Sequence, residues 1–327
     1  MSTTSSSSRR HGARIMEPTM DPAVYNVNGS AVITNMLLLY GFAAVAFIVP
    51  TMTGVVRRGF FCDDESIRYE YRENTVSTAM LITYNLLLDF IVVATVEYYR
   101  IYTVEKSIRV SQYRWRRWHI NVLFVRIATY YAYSHIGFVM NMALNMTTKH
   151  FVGRLRPHFL DVCKPANNVC ADMHSHTYIT DYVCTGTPEL VLEARKSFYS
   201  GHSCISLYCA VWAALYLQAR LATVIHNRVI VPLLQTTILS IGLIISCSRI
   251  TDNMHHWSDV LVGVIVGIFF AVYTGVFWTD MFKNNSVEDE TTPLIIREEP
   301  STLTAPLMER TRAEETSRPN LTATVNA

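Results

Sequence analysis

The chain has 327 residues, half of them hydrophobic, only 17% charged, with a formal net charge of +2. That is too apolar for an ordinary soluble domain, and near-neutrality removes the strong basic field expected of a nucleic-acid-binding chain. The apolar residues are clumped into segments, which is the pattern of a membrane protein.

Residues 1–29 form a Ser-rich leader with Arg9, Arg10 and Arg14 and no hydrophobic stretch. This composition predicts a disordered cytosolic tail rather than a cleavable signal peptide. Apolar segments near 30–54, 76–98, 118–146, 203–219, 229–247 and 258–280 are long enough to cross a bilayer as helices. The expected fold is therefore all-α: a domain over 30–280 with six transmembrane helices, and a disordered tail over 281–327.

Short basic connections set the orientation. The one after the second span holds Arg100, Lys106, Arg109, Arg114, Arg116 and Arg117 against Glu105, and the one after the fourth holds Arg220 and Arg228. With the leader, these predict that both ends face the cytosol and that residues 149–202 and 248–257 meet on the far side. Arg57, Arg58, Arg68 and Arg72 fall on that far side, among acids between Asp63 and Glu73. Asp89 and Arg126 come at similar depth in the second and third spans, which predicts a structural ion pair. Cys62, Cys163, Cys170 and Cys184 all fall in outer loops, so one or two disulfides are expected.

Three polar islands lie on the outer side. The first runs from Lys149 to Arg156-Pro157; seven residues are about two helical turns, so a continuing helix would aim both cations at one anion. Interfacial snorkelling is the alternative for Lys149. The second is Lys196-Ser-Phe-Tyr-Ser200-Gly201-His202, where a Ser-Gly turn opening a helix offers backbone N–H groups and a positive dipole end to an anion. Taken alone it is a helix cap. The third is Ser248-Arg249 followed by His255 and Asp259. Four residues apart on a helix, His255 and Asp259 would share a face, the carboxylate fixing one ring nitrogen and freeing the other to attack. Adjacent His256 hints at a metal, but no converging set of acids accompanies it.

In this order and spacing, Lys-x6-Arg-Pro, Ser-Gly-His and Ser-Arg-x5-His-x3-Asp resemble the signature of the type 2 phosphatidic acid phosphatase superfamily. Residues Arg58–Ile67, Gly153–Cys163, Lys196–His202, Tyr216–Arg220 and His255–Val260 further resemble its lipid phosphate phosphatases. The likeness spans about 30–280. It implies an outward- or lumen-facing enzyme that dephosphorylates lipid phosphate monoesters without a metal or other cofactor. His255 would be the nucleophile, Asp259 its tautomer-fixing partner, and His202 the acid and then the base. Lys149, Arg156, Ser200, Gly201 and Arg249 would hold the phosphoryl oxygens. Tyr199 stands where the wider superfamily often has Pro, and the outer loop 163–195 lacks the glycosylation sequon common in relatives. The implied partners are lipid phosphates and the bilayer, with homo-oligomerisation left open. A non-catalytic lipid- or protein-binding relative is the rival class; such proteins lose the nucleophile or clamp, and here all are present.

In the tail, Glu290-Thr-Thr-Pro-Leu294-Ile295 resembles an acidic dileucine sorting signal, a clathrin-adaptor motif, against a chance match in an acidic tail. It would cycle the protein between the plasma membrane and endosomal or lysosomal compartments.

Overall fold

The structure, a computed structural model, describes residues 24–105, 112–166, 169–170 and 176–282. Residues 1–23, Lys106, Arg109 and the tail with Glu290, Leu294 and Ile295 lie outside the described residues.

The molecule is mostly helical. Six long helices dominate it: α1 (Gly29–Thr53), α2 (Thr78–Tyr99), α3 (Val122–Val152), α6 (Gly201–Tyr216), α7 (Ile230–Thr251) and α8 (Trp257–Val272). Short helices α4 (Phe159–Cys163) and α5 (Pro188–Glu193) sit between α3 and α6. Each of the first three long helices starts on a side-chain cap, where Asn28, Ser77 and Asn121 accept from the backbone N–H of Ala31, Met80 and Leu123.

Five helical stretches are long and apolar enough to cross a membrane: Gly29–Thr53, Thr78–Val104, Gly201–Leu221, Ile230–Thr251 and Trp257–Trp278. The chain is thus a multi-pass membrane protein. Helix α3 is long but falls outside that set. Asn141, Asn145, Thr147, Thr148 and Lys149 dilute its apolar character, and Asn141 and Asn145 are buried against α6 or the segment before it.

Helix α6 is the hub. It packs against α8, α7, α2 and α3, and its Tyr208, Trp212 and Tyr216 are fully enclosed. Helix α8 approaches it closely because Gly267 lacks a side chain; a Cβ there would lie 2.4 Å from the Cys204 carbonyl oxygen.

Residues 118–120 are not helical, contrary to the predicted third span. They form strand β4 (Trp118–Ile120), paired antiparallel with β3 (Gln112–Trp115), which pairs in parallel with β1 (Val24–Asn26). Aromatic and β-branched residues there suit a strand as well as a membrane helix, and α3 begins only at Val122. On the other side of the molecule, β2 (Phe60–Phe61) pairs with β5 (Tyr178–Ile179). The four outer-loop cysteines form two disulfides, Cys62–Cys170 and Cys163–Cys184, around a small core of Phe60, Leu155 and Phe159.

The expected Asp89–Arg126 pair does not form. Asp89 accepts from the Ser134 hydroxyl, whereas Arg126 lies 2.8 Å from Glu105 and 3.5 Å from Glu97. The antiparallel register that sets Asp89 beside Ser134 brings Glu97, eight residues on, to Arg126, eight residues back. Glu97 also takes Arg220 at 3.0 Å and the Tyr216 hydroxyl at 2.7 Å. Arg220, read above as part of an aqueous basic loop, is instead buried.

Candidate active site

A cavity of about 460 Å³ opens where ends of α2, α3, α6 and α7 meet the loops between them. Six of the eight predicted site residues line it: Lys149, Arg156, Gly201, His202, Arg249 and His255. Ser200 and Asp259 do not; both are fully buried behind the wall. Apolar Leu81, Ile82, Met142, Met146 and Ile205 also line it.

Lys149 and Arg156 converge by a different route from the predicted one. Helix α3 stops at Val152, and Gly153 turns left-handed at φ +58°, where a Cβ would sit 2.1 Å from the Val56 carbonyl oxygen. The chain doubles back, and the Arg156 backbone N–H donates to the Ala194 carbonyl at 2.8 Å. A reversal therefore brings the two cations to one cavity, not a continuous helix face. Arg156 reaches Glu193 at 3.5 Å, and Glu193 accepts from Lys196 at 2.6 Å. Burial works against ionisation of Glu193, but the Lys196 hydrogen bond and the Arg156 charge hold it below its ordinary pKa.

Ser200 caps α6, accepting from the Ser203 backbone N–H and hydroxyl. Its own N–H donates to the Asp259 carbonyl at 3.0 Å, locking the start of α6 to the start of α8. Gly201 then presents the helix N-terminus to the cavity; a Cβ on it would come 3.5 Å from Lys149 Nζ. His202 Nε2 donates to the Val76 carbonyl at 2.9 Å, which leaves Nδ1 for a substrate. Arg249 is aimed by the first outer loop: it donates to Val76 carbonyl at 3.2 Å and Asn74 Oδ1 at 2.9 Å, and pairs with Asp252 at 2.7 Å. Asp252 in turn accepts from the Thr75 backbone N–H and hydroxyl.

His255 and Asp259 also differ from expectation. Helix α8 begins at Trp257, so His255 lies in the turn before it rather than on a shared helical face. The separation from His255 Nδ1 to Asp259 Oδ2 is 3.9 Å, too long for a hydrogen bond. Asp259 accepts instead from Arg154 and Ser197, both at 2.6 Å, and sits 3.2 Å from His256 Nδ1. Its carboxylate and the His256 side chain form a capping box for α8. His255 Nδ1 is buried with no partner among the described residues. Burial, reinforced by the charges of Arg156, Lys149 and Arg249, holds the His255 pKa well below its ordinary value. The imidazole is therefore a neutral base facing cations, which suits attack on a phosphorus centre. Nearby His158, with Nδ1 2.8 Å from the Asn253 carbonyl oxygen, is pushed down to about 4, chiefly by burial.

Sequence reasoning gave no role to Arg154, Ser197, Asn74, Asp252 or His158. Arg154 stood in plain view as the first arginine of Gly-Arg-Leu-Arg-Pro. Asn74 and Thr75 carry no such signal, because the residues they hold lie more than 170 positions away. Among the described residues, no group of three or more His, Cys, Asp and Glu side chains could hold a metal ion.

A family model described as the PAP2 superfamily matches residues 123–285. The chain is 63% identical over 260 residues to the phospholipid phosphatase homolog 1.2 homolog of Caenorhabditis elegans, covering 80% of this chain and 76% of that one. It is 36% identical over 253 residues to phospholipid phosphatase 1 of Rattus norvegicus, covering 76% and 85%. Phospholipid phosphatase 2 of Homo sapiens is 34% identical over 243 residues, covering 74% and 80%. No solved structure matches.

Proposed function

Because the chain belongs to the PAP2 superfamily, with named phospholipid phosphatases among its relatives, we propose that it hydrolyses lipid phosphate monoesters. The observation that carries this reading is the convergence of three sequence islands, spread over a hundred residues, on one cavity lined by both cationic and apolar side chains. Phosphatidic acid, lysophosphatidic acid, ceramide 1-phosphate and sphingosine 1-phosphate share the group such a cavity would take: a phosphate monoester on a lipid.

In the proposed mechanism, Lys149, Arg156, Arg249 and the Gly201 amide hold the phosphoryl oxygens as charge redistributes. Ser200 serves them from behind by capping α6. His255 attacks phosphorus through Nε2, forming the N–P bond as the P–O bond to the lipid breaks. His202, entering the step as the imidazolium with Nε2–H on the Val76 carbonyl, gives its Nδ1 proton to the departing alkoxide. Water then attacks the phosphohistidine, His202 takes a proton from it, and the N–P bond breaks to release phosphate. Asp259 steadies the imidazolium electrostatically across 3.9 Å. The reaction is proposed to need no metal, the cations serving in its place. The supporting feature is a clamp of basic side chains without an acidic ligand set.

The same reading makes α3 the sixth span and places residues 1–29 and 281–327 as cytosolic tails of a 30–280 phosphatase domain. The cavity then faces the extracellular space or an organelle lumen, at the plasma membrane with an endosomal or lysosomal pool. Self-association and adaptor binding through Glu290, Leu294 and Ile295 remain part of the proposal.

The test is phosphate release from lipid phosphates in mixed micelles. His255→Ala is expected to abolish turnover while the protein still reaches the membrane, and wild-type activity should survive excess chelator. Normal turnover by a folded His255→Ala protein would sink the assignment. Activity lost in chelator and restored by magnesium would remove the metal-free mechanism alone.

A further inference from the structure

At the end of the bundle away from the cavity, the β3–β4 hairpin presents Arg114-Trp115-Arg116-Arg117-Trp118-His119, every residue exposed. Helix α3 separates the two features: from Val122 to Lys149 it rises about 40 Å at 1.5 Å per residue, roughly a bilayer with its interfaces. The proposed catalysis uses none of these residues.

Their arrangement follows from strand register. Tyr113 pairs with Ile120 and Trp115 with Trp118, so these four side chains share one face of the hairpin. The inner pair is core: Tyr113 is buried, and both residues belong to the small cluster with Val125, Tyr25 and Val122. The outer pair continues the same face past the edge of the bundle. Trp115 reaches the first residue of α1, since a Cβ on Gly29 would lie 2.7 Å from its indole nitrogen, while Trp118 is 75% exposed. The turn between them is Arg116-Arg117, with Arg116 left-handed at φ +55° and its guanidinium 5.9 Å over the Trp115 ring. No acidic residue lies between Gln112 and Asn121. Among the described residues, none of the three arginines takes part in an ion pair.

Two indoles on a rigid hairpin, held where the membrane helix α1 and the long helix α3 begin, are suited to headgroup depth, where an aromatic body and an N–H are both satisfied. Guanidinium forks beside them match phosphate oxygens in a planar, bidentate way. We propose that the β3–β4 hairpin is a docking site for anionic phospholipid headgroups in the leaflet opposite the catalytic cavity, with Trp115 and Trp118 in the interface and Arg114, Arg116 and Arg117 on the phosphates. It gives the protein a second lipid-recognition surface, resting on the proposed reading of α3 as a span, that selects for leaflet charge rather than for a phosphate monoester.

The experiment uses the full chain in phosphatidylcholine nanodiscs containing a minor fraction of brominated phosphatidylserine or, in parallel, brominated phosphatidylcholine. Bromine quenches nearby indoles, and the Trp118 contribution is the difference between wild type and Trp118→Phe. One basic residue near an anionic surface contributes about fivefold in binding, so quenching of Trp118 should favour the brominated serine lipid by at least about that factor. The preference should fall as salt rises and vanish in the Arg114→Gln, Arg116→Gln, Arg117→Gln variant. Equal quenching of wild-type Trp118 by the two lipids would overturn the proposal, whatever the folding of the variants. A preference kept in a folded triple variant would overturn the assignment to these arginines.

Discussion

Asp259 shows how much of this chemistry turns on single side chains. Its carboxylate is fully buried, and Arg154, Ser197 and His256 hold it away from His255. Hydrogen bonds to charged groups contribute about 1.5–3 kcal/mol, or about 10–100-fold when fully felt in a transition state. Ser197→Ala is therefore expected to lower kcat by about 10-fold or more with little change in KM, since Ser197 touches Asp259 and not the cavity. Steady-state kinetics check this, and a change confined to KM would contradict a positioning role. The protonation of His255 gives a second expectation. Its pKa is depressed below the usual 6.5 by burial and then by Arg156, Lys149 and Arg249, so the proposed nucleophile stays neutral as pH falls through 6.5. The acid limb of kcat/KM should bend below that value, and a midpoint above it would refute the electrostatic picture. The identity of these residues was legible from Lys-x6-Arg-Pro, Ser-Gly-His and Ser-Arg-x5-His-x3-Asp. Their partners were not: the spacing of His255 and Asp259 fits a helical pair, but helix α8 starts between them, and only tertiary packing decides that Arg154 takes the carboxylate.

At the scale of elements, hydrophobic length located the starts of the long helices to within four residues. The ends of α3 and α8 fall six and eight residues from the expected positions, and the misreadings have clear physical causes. Strand β4 was absorbed into a helix because Trp118, His119 and Ile120 read equally well as an interfacial helix start. Arg220 was counted as a loop charge because one sequence cannot show that Glu97 waits for it on another helix. That group of Glu97, Arg220, Arg126 and Tyr216 ties α2, α3 and the end of α6 together at the face away from the cavity. Breaking one side of a buried pair typically costs about 3–5 kcal/mol, because the remaining charge stays uncompensated. Glu97→Gln should lower the thermal midpoint in detergent markedly, more than Glu193→Gln at the half-exposed Arg156 pair. Comparable midpoints would show the group to be wet. The disulfide-bonded region around Phe159 has its own dependence on pH. His158 titrates near 4 in the folded state against about 6.5 unfolded, chiefly through burial. Below 6.5 the unfolded chain binds the additional proton, so this group's contribution is intact above 6.5 and is lost as pH falls toward 4. His158→Gln should flatten the loss of thermal stability over that window, and an unchanged pH dependence would assign the loss to other groups.

For the whole molecule, charge and sulfur chemistry both bear on the proposed orientation. The Cys62–Cys170 and Cys163–Cys184 bridges lie on the cavity side with β2 and β5, and disulfides persist in oxidising compartments. The Arg-rich hairpin and the α6–α7 connection with Arg228 lie at the other end, where short basic segments are retained in the cytosol. Two independent biases thus point the same way, although Arg57, Arg58, Arg68 and Arg72 on the cavity side weaken the charge argument alone. The proposed orientation also bears on the number of crossings. If α3 stayed on one side, the hairpin before Val122 and the disulfide-bonded segment after Gly153 would share a compartment, yet α3 is long enough to separate them by the full bilayer. The prediction is therefore joint. An epitope inserted after exposed Thr180 should be reached by antibody on intact cells wherever the protein is at the surface. One after exposed Asn227 should be reached only once the membrane is permeabilised. Both epitopes accessible together, or only the second, would overturn six crossings with the cavity outside, and would send the substrate search to the lipids of the opposite leaflet.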